Sequence, residues 1–229
     1  MRRISICASL LSALAFVLQC HLVSAQMLEI NWTDRGWYNE SVFHDPTNTN
    51  YGVGDGRGPN CTASCFDDFR NFFVFDLSGI TQPIGSAKLA LSLRAFGSVH
   101  ASETYELHDV TTSITSLRNG TGGVAPHSDL GSGTVYGGRS ITPADAFTVV
   151  ELTLNSSAIA ALNSNHGLFA IGGAITTLDG IANHEVLFGN TGGSSDTTRL
   201  RLTLVPEPSS LFLLLTAIFA TLTRKTRSR

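Results

Sequence analysis

Residues 26–204 of this chain are predicted to form an all-β fold, a jelly-roll-like β-sandwich with one or two short helices. Apolar and polar residues alternate in short runs, which is the spacing expected of half-buried strands. Clusters of Gly, Asn, Asp and Pro separate these runs, and few segments carry a helical pattern. Many short strands with few helices favour a sandwich, which limits the exposed strand edges of a protein outside the cell.

The first two clear strands, 69–75 and 88–94, differ in pattern. The segment 69–75 is apolar on both faces, which predicts a central strand that is buried on both sides. The segment 88–94 alternates, so its three leucines are predicted to face the core while its charged residues face solvent.

The next segment, 104–110, is predicted to be a half-buried strand. Its alternation places Tyr105 and Leu107 toward the core, so His108 is predicted to lie on the surface. A short helical turn is predicted to follow at 112–117.

One helix is predicted among the strands of the second half. Residues 155–163 begin with Asn155, a favourable N-cap, and continue with two turns of good helix formers. This helix is predicted to cross between two strands. The predicted strands of this half are 148–154, 168–171, 185–188 and 199–204.

Three runs of this segment resemble those of sandwich modules in exported bacterial proteins. They are residues 70–77, 105–110 and 169–173. The resemblance implies a β-sandwich and brings no defined biochemical activity with it.

The N-terminal residues 1–25 are predicted to be a signal peptide. Arg2 and Arg3 form a charged beginning, and an apolar stretch covers 4–17. Small residues at 23–25 are typical of a cleavage site, which places the mature beginning at Gln26.

The C-terminal segment 205–229 has three parts. Pro206, Glu207 and Pro208 form a stiff, extended motif because proline fixes its own φ and restricts the residue before it. An apolar stretch at about 209–223 is predicted to form a short transmembrane helix, and a basic end follows. The positive-inside rule places the basic end in the cytoplasm and the preceding domain outside.

This order of motif, apolar stretch and basic end resembles the PEP-CTERM sorting signal of exported bacterial proteins. The resemblance is confined to this C-terminal segment. It implies that Pro206, Glu207 and Pro208 are read by an exosortase, a membrane-embedded enzyme similar to cysteine transpeptidases. The alternatives are a plain single-pass anchor, a C-terminal core helix or a GPI signal, although a GPI signal usually ends without a basic cap.

The composition indicates a single domain with no nucleic-acid partner. Roughly 180 residues between the two ends are enough to bury one core. Charged residues make up 14% of the chain and the net charge is −3, so the basic stripe that nucleic-acid binding requires is missing.

Cys61 and Cys65 are the cysteines that remain once the signal peptide is removed. Outside the cytoplasm, such a close pair is predicted to form a disulfide. The loop that it closes is short, so the bond would hold a loop more than it stabilises the fold. The alternative, a zinc or redox pair, needs further ligands or a helix that activates the thiol, and neither is visible.

No catalytic residue is predicted, so the protein is not expected to be an enzyme. The chain lacks a G-x-S-x-G motif, and its histidines lack the close spacing of zinc proteases. The alternative is a glycan-directed hydrolase, which needs two carboxylates about 5–10 Å apart. Candidate carboxylates are Asp67, Asp68, Glu106 and Glu151.

The glycine-rich loop 45–60 is predicted to be the functional surface, because loops on a sandwich commonly carry ligands. Its side chains offer oxygen ligands for Ca²⁺, although no EF-hand or nonapeptide pattern is present. No other cofactor is expected. The candidate calcium ligands are Asp45, Asn48, Asn50 and Asp55.

Four aromatic residues, Trp32, Trp37, Tyr38 and Tyr51, lie near this loop in sequence. Exposed aromatic rings could stack on the apolar faces of sugars, while packing in the core is the alternative.

The sequence as a whole predicts an exported cell-surface or extracellular-matrix protein with a structural or adhesive role. Its expected partners are an exosortase, the membrane and extracellular polysaccharide. The alternatives are a carbohydrate-binding module and a glycan-directed hydrolase.

Overall fold

The structure, a computed structural model, describes residues 25–41, 43–56, 68–179, 185–189, 191 and 196–206. These residues form a fold rich in strands, which confirms the predicted all-β class. The described strands are β1 (Gln26–Asn39), β2 (Val53–Asp55), β3 (Asp68–Asp76), β4 (Ile84–Leu93), β5 (Phe96–Gly97), β6 (Glu103–Asp109), β7 (Val135–Ile141), β8 (Thr148–Thr153), β9 (Leu168–Ile175), β10 (Glu185–Leu187) and β11 (Thr198–Leu204).

The strands form one curled antiparallel sheet, because the long strand β1 belongs to both of its halves. Its first part pairs with β11, and its second part pairs with β3 after a register shift between Trp32 and Asp34. The first half-sheet continues from β11 to β4 and β8. The second half-sheet continues from β3 to β9, β6 and β7, and β2, β10 and β5 extend it beside β3.

The two half-sheets enclose the main core. Leu89 of β4 and Leu200 of β11 belong to the same cluster of buried side chains as Phe73 and Phe75 of β3. Burying a side chain of this size stabilises the fold by about 1.5–3 kcal/mol. This shared cluster is therefore what holds the curled sheet together.

A second core lies on the opposite face of β3. Phe72 and Val74 pack there with Leu117 and Leu130. Leu117 belongs to a short helix after β6, and Leu130 comes directly after a second short helix. The hydroxyl of Tyr38 donates a hydrogen bond to the carbonyl of Leu117 at 2.7 Å. The prediction of a central strand buried on both faces is confirmed, since β3 lies between β1 and β9 and contributes to both cores.

The described helices are short and number three, where one or two were predicted. The predicted helix at 155–163 is confirmed as α3, where the side chain of Asn155 accepts a hydrogen bond from the Ala158 amide at 3.1 Å. The middle helix has five residues, which is too short to produce a detectable helical period. The helices are α1 (Ile114–Asn119), α2 (Ala125–Asp129) and α3 (Ser156–Ser164), and a 3₁₀-helix covers Pro143–Asp145.

The prediction that His108 lies on the surface is wrong, because its side of β6 is covered. Gly172 is the cross-strand neighbour of His108, and a Cβ at Gly172 would lie 2.7 Å from the carbonyl oxygen of Leu130. The segment after α2 therefore lies directly on this face, and His108 is buried. Burial lowers the pKa of His108.

Among the described residues, no helix is both long enough and apolar enough to cross a membrane. Apart from Ala25, the predicted signal peptide 1–25 lies outside the described residues, and so does the predicted transmembrane segment at about 209–223. Both remain predictions.

Candidate functional site

A cleft of about 410 Å³ opens beside the small strands β2, β5 and β10. Val186 of β10 pairs with Gly54 of β2 on one side and with Gly97 of β5 on the other. This narrow ribbon forms the floor of the cleft. We name it the aromatic–amide cleft, and its lining residues are Trp37, Asn48, Asn50, Gly52, Val53, Gly56, Phe69, Ala95, Phe96, Gly97, Val186 and Gly189.

Aromatic rings form one wall of the cleft. Trp37 of β1 pairs with Asn71 of β3, so Phe69 is its diagonal cross-strand neighbour on the same face. The rings of Trp37 and Phe69 meet edge to face, with centroids 5.0 Å apart. Phe43 lies 5.9 Å from Trp37 and is mostly exposed. Trp37 itself is half-buried, so part of its surface is available to a ligand.

The side chains of Asn48 and Asn50 form the polar part of the lining. The Oδ1 of Asn48 accepts a hydrogen bond from the Asn50 amide at 3.0 Å. The Oδ1 of Asn50 accepts from the amide and the hydroxyl of Thr191, at 3.2 and 2.8 Å. These backbone donors fix which side-chain atom is oxygen. Within the described part of the chain, neither Nδ2 takes part in a hydrogen bond, so both remain available as donors.

The structure divides the four predicted calcium ligands. Asn48 and Asn50 line the cleft, whereas Asp45 and Asp55 do not. The Oδ1 of Asp45 accepts hydrogen bonds from the amide and hydroxyl of Thr47, at 2.9 and 2.7 Å. Asp55 is buried in β2. The calcium site therefore stays a prediction, and its four residues have different surroundings.

The four aromatic residues near the loop also separate. Tyr38 and Tyr51 are buried, so the core-packing alternative holds for both. Trp32 is half-buried, and the guanidinium of Arg35 lies 4.4 Å from its ring centroid. Trp37 is the member of this group that lines the cleft.

The carboxylates considered for hydrolase chemistry have separate sets of partners. Asp68 lies 3.4 Å from Arg70, and burial raises its pKa. Glu151 pairs with Lys88 at 2.8 Å on the first half-sheet. Glu106 lies 3.9 Å from the buried His108. None of the three lines the cleft, and the fourth candidate, Asp67, lies outside the described residues.

A second constellation, which we name the histidine–carboxylate cluster, consists of His100, Asp179 and Glu185. The Nε2 of His100 lies 3.0 Å from the Oε1 of Glu185 and 3.3 Å from the Oδ2 of Asp179. One ligand atom from each residue lies within 4.8 Å of the others. No local pattern in the sequence predicts this cluster, because its histidine lies 79 residues before Asp179 in the chain.

The sequence pattern does not identify the apolar half of the cleft. Phe69 and Val186 belong to apolar runs that are equally typical of core strands, and Phe96 stands between Ala95 and Gly97 without an apolar run around it. Their position beside a short ribbon at the end of the sheet, and not their residue type, leaves them half-buried.

Several predicted site residues lie outside the described part of the chain. These are Cys61 and Cys65 of the predicted disulfide and Glu207 and Pro208 of the predicted sorting motif. Pro206 is described, and it follows the end of β11, where the amide of Val205 donates to the carbonyl of Pro83 at 2.7 Å.

No family model matches the chain, and no curated protein matches it. Among solved structures, the chain is similar to the K1 cleaved adhesin domain of Lys-gingipain from Porphyromonas gingivalis. The match covers 79% of this chain and 99% of that domain, at 11% sequence identity and a TM-score of 0.35. A TM-score this low does not establish a shared fold or a shared function.

Proposed function

We propose that this chain is an exported cell-surface or extracellular-matrix protein with an adhesive role, and that its aromatic–amide cleft binds extracellular polysaccharide. One observation carries the proposal. The half-buried ring of Trp37 lines the same cleft as the side-chain amides of Asn48 and Asn50.

The chemistry of this lining suits a sugar. A pyranose ring presents an apolar C–H face, which packs on an aromatic ring, and hydroxyl groups at its edge, which accept hydrogen bonds. Trp37 supplies the ring, and the two Nδ2 groups supply donors. The cleft volume of about 410 Å³ lies within the range of small-molecule sites.

The proposed role is not catalytic. The described lining of the cleft holds no carboxylate, histidine or serine side chain. Binding through stacking and amide donors needs none of these groups. A jelly-roll-like arrangement of the sandwich is part of the proposal, and the antiparallel pairing and the core shared by both half-sheets support it.

The proposal includes the route to the surface. A signal peptide at 1–25 exports the domain, and the tail 205–229 anchors it in the membrane until an exosortase reads Pro206, Glu207 and Pro208. A disulfide between Cys61 and Cys65 is part of the proposal; both cysteines lie outside the described residues, and their separation in the chain and the expected export support the bond. The sequence features of both ends support this route.

A glycan array, followed by titration with the strongest glycan, tests the cleft. The full-length chain purified in mild detergent is compared with Trp37→Ala, which removes the stacking ring. We expect the variant to bind at least tenfold more weakly. Phe147→Ala is the matched control, since Phe147 is 81% exposed and does not line the cleft. Thermal melting confirms that both variants are folded.

Two results would contradict the proposal. Equal glycan affinity of Trp37→Ala and the parent chain would show that the cleft is not the binding site. Release of new reducing ends from the glycan would instead support the hydrolase alternative.

The sorting route is tested separately in native cells. Glu207→Ala removes the charge of the motif and leaves its proline backbone in place. We expect the uncleaved chain to accumulate in the inner membrane. A mature population that still ends in the peptide 228–229, with normal localisation of the variant, would leave a plain membrane anchor as the explanation.

A further inference from the structure

The histidine–carboxylate cluster lies where three separate segments meet. His100 follows β5, Asp179 follows β9, and Glu185 begins β10. His100 and Asp179 are partly exposed, with 44% and 25% of their side-chain surface accessible, whereas Glu185 is completely buried. The cluster thus has one buried wall and one side that faces solvent.

The buried carboxylate of Glu185 is only half satisfied. Its Oε2 accepts a hydrogen bond from the amide of Asp179 at 3.2 Å. Its Oε1 points toward His100 but has no hydrogen-bond donor among the residues that the structure describes. A buried polar atom without a partner is costly, so such an atom in a folded protein calls for a physical reason.

The imidazole of His100 cannot satisfy this group by itself. Nε2 carries at most one proton, yet it lies within 3.3 Å of oxygens from both Asp179 and Glu185. The buried carboxylate of Glu103 adds further negative charge to this region. Its two oxygens accept hydrogen bonds from Ser98 and Thr177 at 2.5 Å each, so it is held in place without His100.

A metal ion fits the spacing of the ligand atoms. Ligand atoms at about 2.1 Å from a metal lie about 3.0–3.4 Å apart at neighbouring positions of an octahedron or a tetrahedron. The distances from Nε2 to the two carboxylate oxygens, 3.0 and 3.3 Å, lie in this range. A cation would also neutralise the carboxylates and give Oε1 of Glu185 a partner.

We propose that His100, Asp179 and Glu185 bind a divalent transition-metal ion of the Zn²⁺ or Mn²⁺ type. One imidazole and two carboxylates form a mixed set of nitrogen and oxygen ligands, which suits these ions better than Ca²⁺, which prefers oxygen alone. The adjacent cavity, lined by His100, Glu103, Thr177 and Asp179 among others, has a volume of about 380 Å³. It leaves room for water or a ligand to complete the coordination.

This site is separate from the predicted calcium ligands in the loop 45–60. It shares no residue with the aromatic–amide cleft, although Val186 of that cleft directly follows Glu185. The metal would tie the beginning of β10 to the segments after β5 and β9. Its binding is therefore expected to stabilise the ribbon that forms the floor of the cleft.

Calorimetric titration with Zn²⁺ tests the assignment. The full-length chain carries Cys7→Ser, Cys20→Ser, Cys61→Ser and Cys65→Ser, so that thiols do not bind the metal, and is first stripped with a chelator. We expect one equivalent of Zn²⁺ to bind and to raise the melting temperature. His100→Ala and Glu185→Gln should each weaken this binding at least tenfold. His100 is exposed, so its replacement is not expected to prevent folding.

His166→Ala and Glu29→Gln are matched controls, because both residues are exposed and lie outside the cluster. They should leave the affinity unchanged. Unchanged Zn²⁺ affinity and stoichiometry in both His100→Ala and Glu185→Gln would overturn the site. Tighter binding of Ca²⁺ than of Zn²⁺ and Mn²⁺ would overturn the choice of metal.

Discussion

The aromatic–amide cleft and the histidine–carboxylate cluster contain neighbouring residues of the same short strand, yet they differ in whether their side-chain oxygens have hydrogen-bond donors. In the cleft, the oxygens of Asn48 and Asn50 are satisfied inside the protein. In the cluster, the buried Oε1 of Glu185 has no hydrogen-bond donor among the described residues.

The alternation of a strand explains how both features come from β10. Successive side chains point to opposite faces, so Val186 lines the cleft while Glu185 points into the cluster. β10 has three residues and is paired on both sides, with β2 and with β5. Two consecutive residues of this short strand therefore contribute to two different candidate sites, one apolar and one charged.

Polar groups that are satisfied inside the protein and polar groups that are left without a partner indicate different ligands. A preformed network with donors to spare suits a neutral ligand such as a sugar, which adds hydrogen bonds. A buried carboxylate without a donor suits a cation, which removes an electrostatic cost. Three variants separate these two cases.

The largest effect on the free energy of unfolding is expected from Gly54→Ala, which disturbs both the cleft and the cluster. Gly54 has φ of +109°, and a Cβ there would lie 2.0 Å from the carbonyl oxygen of Glu185. The strained backbone and this clash should lower the free energy of unfolding by about 3 kcal/mol or more. Urea denaturation measures the loss, and glycan and Zn²⁺ binding should weaken together.

Gly79→Ala is the control for this variant, because a Cβ at Gly79 would meet no atom within 4 Å. Its free energy of unfolding should change by no more than about 0.5 kcal/mol. Loss of only one of the two binding activities in Gly54→Ala would show that the ribbon does not couple the cleft and the cluster.

An intermediate effect is expected from Asn50→Ala, on the cleft side. This change removes the acceptor of the Thr191 amide, and Thr191 is completely buried. An unsatisfied buried amide should lower the free energy of unfolding by about 2 kcal/mol. Asn48→Ala removes only the local bond to the Asn50 amide and should cost less. Equal stabilities of these two variants in chemical denaturation would contradict the proposed network.

The smallest effect, with the opposite sign, is expected from Glu185→Gln on the cluster side. In chelator-treated protein at pH 8, replacing the buried carboxylate by a neutral amide should raise the free energy of unfolding by about 1 kcal/mol. Added Zn²⁺ should reverse this order, because the parent chain gains a metal and the variant does not.

The pH dependence of this difference follows from the sign of the pKa shift. Burial is the main cause that raises the pKa of Glu185 in the folded chain above the ordinary glutamate value of 4.5. The folded state then binds more protons than the unfolded state, so the metal-free parent loses stability as pH rises from about 4.5 through the folded pKa. The Glu185→Gln variant has no carboxylate to deprotonate at this position, so it does not lose this stability as pH rises. Its advantage in urea denaturation should therefore shrink toward pH 4.5, and an advantage that grows on acidification would contradict the assignment.

Local patterns predicted most of the fold. The alternation in 88–94 and 199–204 identified β4 and β11, whose leucines are buried in the main core. The doubly apolar run at 69–75 identified β3 as central. These predictions are correct because strand alternation depends on neighbouring residues alone. The prediction that His108 lies on the surface is wrong because the segment at Leu130 covers that face of β6, and only folding brings Leu130 there.

The candidate sites were predicted less completely, for the same reason. The loop 45–60 was identified as the functional surface, and two of its residues, Asn48 and Asn50, do line the cleft. Nothing in the sequence distinguishes Trp37 from Tyr38, yet the register of β1 against β3 leaves the first half-buried at the cleft and buries the second.

Residue pattern alone is enough to identify the all-β class, the positions of the main strands and the helix capped by Asn155, since each depends on contacts within a few residues. The packing of the folded sheet, in contrast, sets which side chains meet across long separations in the chain. His100 and Asp179 are 79 residues apart in the chain, and the antiparallel pairing of β6 with β9 places the segment before β6 beside the segment after β9. Side-chain pattern encodes which face of a strand is buried, whereas the partners on that face are set by the packing of the whole sheet.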